Sequence, residues 1–394
     1  MTAYGKATRW VLLASATMTV MSGAIIAPVL NLMGDGLGVD PGAARILITT
    51  HSIFIAVFSP LYGVLIDRIG PKKPFTFGLA LYGISGVTGL FINDYWLLFA
   101  SRALLGIGAA SIFTSITVLI LNLYKQGVER NRVMGWRASS QSAGGIVWPL
   151  LGGFLGTFSW HFPFAVYLIG IPLALLALRY IPRTDRQTVT AATSQEKTVL
   201  RVIRETPMLY GIYLLIFLTS VFLYSLVVFL PEVLKYLNVI SPFYIGLYIS
   251  GMSLVAGISS LMYGRARAKL SYKTIVIIAL ALWAIGFILL SRAASGVLVG
   301  LSVALFGAGQ GMVMPTVQLW AGELVPASFR GRITSYLGSF GLGGQFLSPI
   351  ILSAVESAFG LSAVFLVIGV TSSLVLVAFL VLVRNNGALR APEE

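Results

Sequence analysis

A series of uncharged, mostly apolar runs limits the folds that this chain can adopt. The first extends from Trp10 to Gly34, and another, Ala138–Leu178, is long enough for two membrane-crossing helices. A helix crosses a bilayer with about 20 apolar residues. Of all residues, 57% are hydrophobic and only 10% are charged, whereas soluble domains carry about 25% charged residues. The sequence therefore predicts an all-α membrane protein.

Twelve transmembrane helices are predicted when the spans are taken as the stretches between charged residues. The run Ala138–Leu178 is divided at the turn-like sequence Gly156–His161. The other spans are Trp10–Asn31, Ile46–Ile66, Pro74–Asn93, Tyr95–Leu123, Pro207–Pro231, Tyr236–Tyr263, Thr274–Ser291, Ala293–Gly322, Ile333–Val355 and Ser357–Val383.

An internal repeat divides these spans into two groups of six. The repeated residues are Arg130, Arg132, Ser139, Gly144 and Pro149, which align with Arg330, Arg332, Ser339, Gly344 and Pro349. Parallel repeats of this kind place a binding site at their interface, near the bilayer midplane. We predict two pseudo-symmetric six-helix bundles, residues 1–178 and 207–394, joined by a cytoplasmic linker, residues 179–206.

Basic residues are concentrated on one predicted side of the membrane. The chain has 27 Lys and Arg against 13 Asp and Glu. Only Arg45, Lys235 and Arg292 fall in the loops opposite the termini, and Arg102 lies within a span. Because basic loops remain cytoplasmic, we expect a multi-pass protein of the inner membrane with both termini in the cytoplasm. This topology, rather than nucleic-acid binding, accounts for the net charge of +14.

Enzymatic chemistry is not expected from this sequence. The chain has no cysteine and only two histidines, His51 and His161, so thiol chemistry and a His-rich metal site are not predicted. We see no phosphate-binding loop and no nucleophile–base pairing. A sensor or scaffold would need an output domain that the sequence does not offer. We expect a monomeric transporter of a small molecule, with no cofactor and no metal.

The loop after the second span carries a motif with a carboxylate beside basic residues. Its members are Gly63, Asp67, Arg68, Gly70, Lys72 and Lys73. A carboxylate at the cytoplasmic edge can pair with basic groups and latch one conformation shut, although a plain basic turn is the alternative. The motif resembles the signature of the major facilitator superfamily and departs from it at Pro71. The resemblance implies the two-bundle major facilitator fold and transport by alternating access.

The fourth span contains Arg102, followed by Gly106 and Gly108. This sequence resembles the second motif of the proton-coupled members of the family. An arginine within an apolar span costs about 3 kcal/mol or more. We therefore expect Arg102 to face the bundle interior or a cavity, unless it extends to the membrane surface.

The fifth span has a glycine–proline pattern made of Gly135, Gly144, Pro149, Gly152 and Gly153. It resembles the antiporter motif of the twelve-span drug–proton antiporters, with Trp148 in place of one glycine. The resemblance implies export. A generic packing kink is the alternative, because proline bends a helix and glycines allow close packing.

Polar and aromatic residues inside the spans are candidates for the translocation path. They are Asn31, Phe54, Phe113, Gln141, Tyr213, Phe217, Tyr224, Gln310, Gln318 and Gln345. No carboxylate is predicted at mid-depth, so His51, Glu232 and Asp67 are the candidates for proton coupling. Histidine titrates in the right range, although a lone histidine also serves as a structural residue. A cavity containing Arg102 without a counter-charge would disfavour permanent cations.

Two functions remain open from the sequence. The fifth-span motif favours proton-coupled export of small amphipathic compounds, as in drug or metabolite efflux. Arg102 and the missing mid-depth carboxylate favour an uptake symporter or facilitator for a neutral or anionic metabolite. Small molecules, lipid and, for either coupled mechanism, protons are the expected partners.

The predicted topology can be tested with Thr190→Cys and Glu394→Cys, because the chain has no other cysteine. A membrane-impermeant maleimide should label both positions in inverted vesicles and neither in intact cells. Labelling of either position from outside intact cells would refute the cytoplasmic assignment.

Overall fold

The computed structural model describes residues 5–124, 127–182, 201–326 and 329–385. Twelve long helical segments, α1 to α12 in chain order, occupy these ranges. They are Lys6–Leu37, Pro41–Ile69, Lys72–Thr88, Tyr95–Leu123, Val128–Gly156, Phe162–Tyr180, Met208–Tyr236, Pro242–Arg267, Tyr272–Ser291, Gly296–Glu323, Arg330–Phe359 and Leu361–Asn385. Short 3-10 turns, Ala27–Val29 and Val166–Ile169, interrupt α1 and α6.

Ten helices within the described ranges are long and apolar enough to cross a membrane. Of the other two, α3 has only 17 residues, and α5 is rich in Gly and Ser. Both are nevertheless part of the bundle, because α3 packs on α4 and α6 while α5 packs on α1 and α8. The predicted all-α membrane fold is confirmed.

Capping side chains set where several helices begin. The Asp40 carboxylate accepts a hydrogen bond from the Ala43 backbone N–H at 3.0 Å, and Asp94 does the same for Leu97 at 2.9 Å. Aspartate satisfies the free N–H groups of a first helical turn. Pro41 follows the first of these caps, at the position where proline fits a helix best.

Two helices begin earlier than the sequence analysis predicted. Helix α2 starts at Pro41, so Arg45 lies within the helix rather than in a loop. Helix α5 starts at Val128, so Arg137 is also helical. The prediction was wrong because spans taken between charges omit helical turns that carry a charge. Most of the predicted linker, residues 183–200, lies outside the described residues.

Side-chain contacts define two ends of the molecule. At one end, the Lys72 ammonium donates to the Leu178 carbonyl at 2.9 Å, joining the start of α3 to the end of α6. We call this the basic end. At the other end, His161 hydrogen-bonds to Asn93 at 2.9 Å, joining the α5–α6 and α3–α4 connections. We call this the ion-pair end, because it also contains Arg45.

The twelve helices form two groups, α1–α6 and α7–α12, and most packing occurs within each group. Two helix pairs account for most contact between the groups, α2 with α11 and α5 with α8. The starts of corresponding helices in the two groups are separated by a nearly constant number of residues, as for Pro41 and Pro242 or Lys72 and Tyr272. This spacing agrees with the repeat seen in the sequence.

Glycines along α5 and α8 reveal how the two groups meet. A Cβ added to Gly246 would clash with the Pro149 carbonyl oxygen, so the two backbones touch near the ion-pair end. By contrast, a Cβ on Gly257 or Gly135 would meet no atom within 4 Å. The groups are therefore joined at the ion-pair end and separated at the basic end.

Because of this asymmetry, adding one methyl group to a glycine of α8 should destabilise the protein at the ion-pair end and not at the basic end. Gly246→Ala should lower the melting temperature by several degrees, because overpacking a tight contact costs about 1–3 kcal/mol. Gly257→Ala, on the same helix, is the matched control and should melt like the unmodified protein. The measurement is thermal unfolding of the purified protein in detergent, and equal melting of the two variants would contradict the packing described here.

Candidate transport site

Arg45 joins the two groups of helices at the ion-pair end. Its side chain is 1% exposed, and its guanidinium contacts the carboxylates of Glu232 on α7 and Glu356 on α11. Its Nη2 donates to Glu356 Oε1 at 2.9 Å, and the Phe229 ring lies 4.0 Å from the guanidinium carbon. One buried cation thus ties a helix of the first group to two helices of the second.

A second, weaker set of contacts surrounds this cluster. Asn31 Nδ2 donates to the Pro231 carbonyl at 2.9 Å. Lys235 lies 3.6 Å from the Asp35 carboxylate, but both side chains are more than half exposed, so this pair contributes about 0–1 kcal/mol. A small cavity adjoins the cluster. Residues lining it include Asn31, Asp35, Arg45, Glu232 and Lys235.

Polar contacts continue the junction about a third of the way along α2. Ser52 Oγ donates to Gln345 Oε1 of α11 at 3.0 Å, and the Tyr224 hydroxyl of α7 also lies near Ser52. On the other side of the molecule, Ser250 Oγ of α8 donates to the Ile146 carbonyl of α5 at 2.7 Å. Gln345 and Tyr224 therefore lie where the two groups meet.

The motif after α2 lies at the open, basic end. Gly70, with φ of 79°, ends α2 in a conformation that favours glycine. A Cβ on Gly63 would meet no atom within 4 Å, so no helix of the described residues packs closely against Gly63 in this conformation. Asp67 makes no ion pair with any residue that the structure describes. The exposed members are Asp67, Arg68 and Lys73.

Arg102 lies inside the first group of helices, away from the other group. It is fully buried, and its Nη2 donates to the Gly86 carbonyl of α3 at 3.3 Å. The rings of Phe164 and Tyr167 on α6 lie 5.0 and 4.8 Å from its guanidinium carbon. The expectation that Arg102 sets the charge of a central cavity therefore does not hold in this structure, because α3 and α6 enclose it.

His51 is also enclosed by its own group. It is 2% exposed, and its Nδ1 bonds to the Ile48 carbonyl at 2.7 Å. Its ring packs against Gly23 of α1, and its backbone packs against Gly106 of α4. These contacts are those of a structural histidine.

The glycines of the α5 motif form contact faces on two sides of the helix. Gly152 approaches the backbone of α1, and a Cβ on Gly153 would lie 2.5 Å from the Pro242 carbonyl oxygen of α8. Trp148, which replaces a glycine of the motif, donates its indole N–H to the Thr17 carbonyl at 3.0 Å. The tryptophan therefore maintains the α5–α1 contact with a hydrogen bond.

The remaining cavity candidates are dispersed over both groups. Gln141 donates to Thr19 of α1 at 3.0 Å. Tyr213 stacks on Phe340, with ring centroids 5.0 Å apart, and is buried. Those left partly or fully exposed are Phe54, Phe113, Phe217, Gln310 and Gln318.

Sequence reasoning missed two members of the charged cluster, because it placed Arg45 in a loop and left Glu356 between two spans. The Asp40–Pro41 cap could have placed Arg45 within a helix. The sequence carried no signal for the pairing with Glu356, which lies 311 residues away.

Two helix bundles that meet at one end and part at the other form an architecture that can enclose a path across a membrane. The Major Facilitator Superfamily model matches residues 12–239 and 212–394. The chain belongs to this family, as the motif after the second span predicted, and it is a transporter rather than an enzyme.

Known proteins resemble this chain in sequence or in fold. The multi-drug resistance efflux pump PmrA of Streptococcus pneumoniae is 27% identical over 363 residues, covering 88% of this chain and 89% of PmrA. The bacillibactin exporter of Bacillus subtilis is 25% identical, covering 86% and 87%. The solved structure of a mutant of the nucleoside transporter NupG superposes with a TM-score of 0.81 at 14% identity, covering 96% of this chain and 99% of NupG.

The charged cluster predicts how the ion-pair end opens. Arg45→Gln should separate that end, because breaking a buried pair costs about 3–5 kcal/mol and leaves Glu232 and Glu356 to repel each other. Spin labels at Phe91→Cys and Val297→Cys, both on exposed positions of this end, should report a longer distance in the variant.

Lys235→Gln provides the control for this experiment, since it removes a charge of the same end from an exposed pair. Its label distances should match those of the unmodified protein. Unchanged distances in Arg45→Gln would refute the closing role of the cluster.

Proposed function

We propose that this protein is a proton-coupled exporter of small amphipathic compounds, working by alternating access. Two relatives that match most of the chain are named as an efflux pump and an exporter, and this likeness is the observation that carries the direction of transport. We place the protein in the cell's inner membrane with both termini cytoplasmic, as the basic loops predict. A single chain supplies both walls of the cleft, so a monomer suffices.

The structure corresponds, in this proposal, to the state open to the cytoplasm. The basic end is the cytoplasmic end, and substrate enters between α5 and α8 where Gly135 and Gly257 have no neighbours. The two bundles, residues 1–178 and 207–394, then rock about the cleft. Asp67 latches the basic end in the opposite state by pairing with basic groups across the cleft.

Proton coupling is assigned to Glu232 together with Glu356. Two carboxylates share the Arg45 guanidinium, so a proton on either one removes a charge that holds the two bundles together. The adjacent cavity offers protons a path to Glu232 from the ion-pair end. The other charged groups facing this cavity are Asp35 and Lys235. Because His51 is enclosed by glycines and its own backbone, it is not assigned this role.

Inverted vesicles energised to be acidic inside distinguish export from uptake. For a proton-coupled exporter, a compound added outside should enter in exchange for protons, and a pH-sensitive acridine dye should recover its fluorescence. An uptake symporter would give no recovery under the same conditions. Absence of recovery with a panel of anionic, neutral and cationic amphiphiles would refute the proposed function.

Asp67→Asn should abolish most of this dye recovery while leaving expression and melting temperature unchanged. The amide keeps the shape of the side chain but cannot form the ion pair that closes the basic end. Lys73→Gln, an exposed neighbour in the same loop, shows whether loss of any charge there has the same effect. Full recovery in Asp67→Asn would contradict the latch role.

A further inference from the structure

Arg137 is a charged residue within α5 that neither the family motifs nor the charged cluster explains. It lies nine residues into the helix, beyond the turns that reach the basic end. Its Nη1 donates to Thr117 Oγ1 of α4 at 2.9 Å, and its guanidinium carbon lies 5.7 Å from the centre of the Phe113 ring. The side chain therefore crosses from α5 to α4, two helices that barely touch each other.

The face of α4 that Arg137 reaches is turned to the open cleft. Helix α4 packs against α2, α3 and α1, whereas Phe113 and Leu121, in its half nearer the basic end, are 36% and 41% exposed. Thr114 and Thr117 share this face. Threonines and an arginine on one exposed stripe fit a water-filled cleft better than a lipid surface, where a charge is costly.

Among the residues that the structure describes, the Arg137 guanidinium makes no ion pair. Its Nε–H has no hydrogen-bond partner among them. A partly buried arginine without a carboxylate is costly to keep. An ionisable group held inside a membrane bundle in this way marks a ligand or ion path.

The neighbours of Arg137 supply the rest of an amphipathic site. Gln141, one turn further along α5, presents an amide on the same face. The Phe113 ring offers an apolar surface next to the guanidinium. Nearer the basic end, the Arg9 guanidinium lies 4.7 Å from the centre of the Trp136 ring and repeats the pairing of cation and aromatic.

We propose that Arg137, Phe113 and Thr117 form the subsite of the cleft that binds the acidic group of the substrate, so that the exported compounds are amphipathic anions. The carboxylate or sulfonate of such a compound accepts hydrogen bonds from the Arg137 guanidinium and replaces the Thr117 hydroxyl as its acceptor. The apolar part of the compound packs on the Phe113 ring. The export of such anions rests on the proposed function, whereas their binding at this subsite rests only on the contacts described above.

Fluorescein and rhodamine 6G test this subsite, because they share a xanthene core and carry opposite charge. Binding to the purified protein in nanodiscs is measured by fluorescence polarisation, with empty nanodiscs subtracted. Fluorescein should bind more tightly than rhodamine 6G. Arg137→Gln should weaken fluorescein binding at least about tenfold, the loss expected for a charge-assisted hydrogen bond. Rhodamine 6G should bind Arg137→Gln as tightly as the unmodified protein or more tightly. The fluorescein affinity of Arg137→Lys should lie between those of the unmodified protein and Arg137→Gln.

Arg130→Gln is the matched control, since Arg130 lies on the same face of α5 two turns nearer the basic end and donates to the Tyr124 and Leu121 carbonyls. It should leave both affinities unchanged. Equal fluorescein affinity in Arg137→Gln and the unmodified protein would overturn the subsite. Equal weakening of both dyes would also overturn it, because it would indicate a structural role.

A test without variants guards against misfolding of Arg137→Gln. In the unmodified protein, 2-naphthoate should displace bound fluorescein at a concentration at least about tenfold lower than 2-naphthamide, which has the same shape without the charge. Equal displacement would overturn the proposal. Binding of fluorescein without its transport in inverted vesicles would leave the subsite standing and count against the proposed function instead.

Discussion

The contact between Arg45 and the two carboxylates holds the molecule in the state described here. Its guanidinium is almost fully buried, and the carboxylates belong to the other group of helices. A cation in this position is stable only while its partners remain, because an unpaired charge is costly away from water. The glycine contacts of α5 with α8 and the Ser52–Gln345 hydrogen bond form on the same side of the cleft. They depend on the bundles staying together at this end.

The two bundles have the same arrangement of helices but different side chains in their interiors. In the first, Tyr82 and Tyr167 donate to backbone carbonyls of α1, both at 2.8 Å, around the buried Arg102. In the second, Trp283 occupies the place that Tyr82 holds in the repeat and packs against the rings of Phe222 and Phe306. At this position, the first interior holds a buried cation and tyrosine hydroxyls, whereas the second holds stacked aromatic rings. The repeat preserves the helix plan rather than the chemistry of the interior.

The helix count, the division of the long run near Gly156 and the family followed from the sequence, because each depends on local apolar length or on a short motif. The cluster around Arg45 did not follow, since it depends on which helices meet across the cleft. Arg102 and His51 were expected to act in translocation because polar residues are costly in spans, but tyrosine, carbonyl and glycine contacts accommodate them within one bundle. Arg137 was missed because its charge was taken as the end of a span. Its spacing of four residues from Gln141 was the available signal.

The unfilled glycines at the basic end have a consequence for the closure that the proposed alternating access requires. Gly63, Gly135 and Gly257 expose bare backbone where the two bundles stand apart. Larger side chains would lose rotamer freedom when the bundles close there, at a cost of up to about 2 kcal/mol each. Glycine has no side-chain rotamers to lose. Closure of this end in the proposed cycle therefore costs little side-chain entropy.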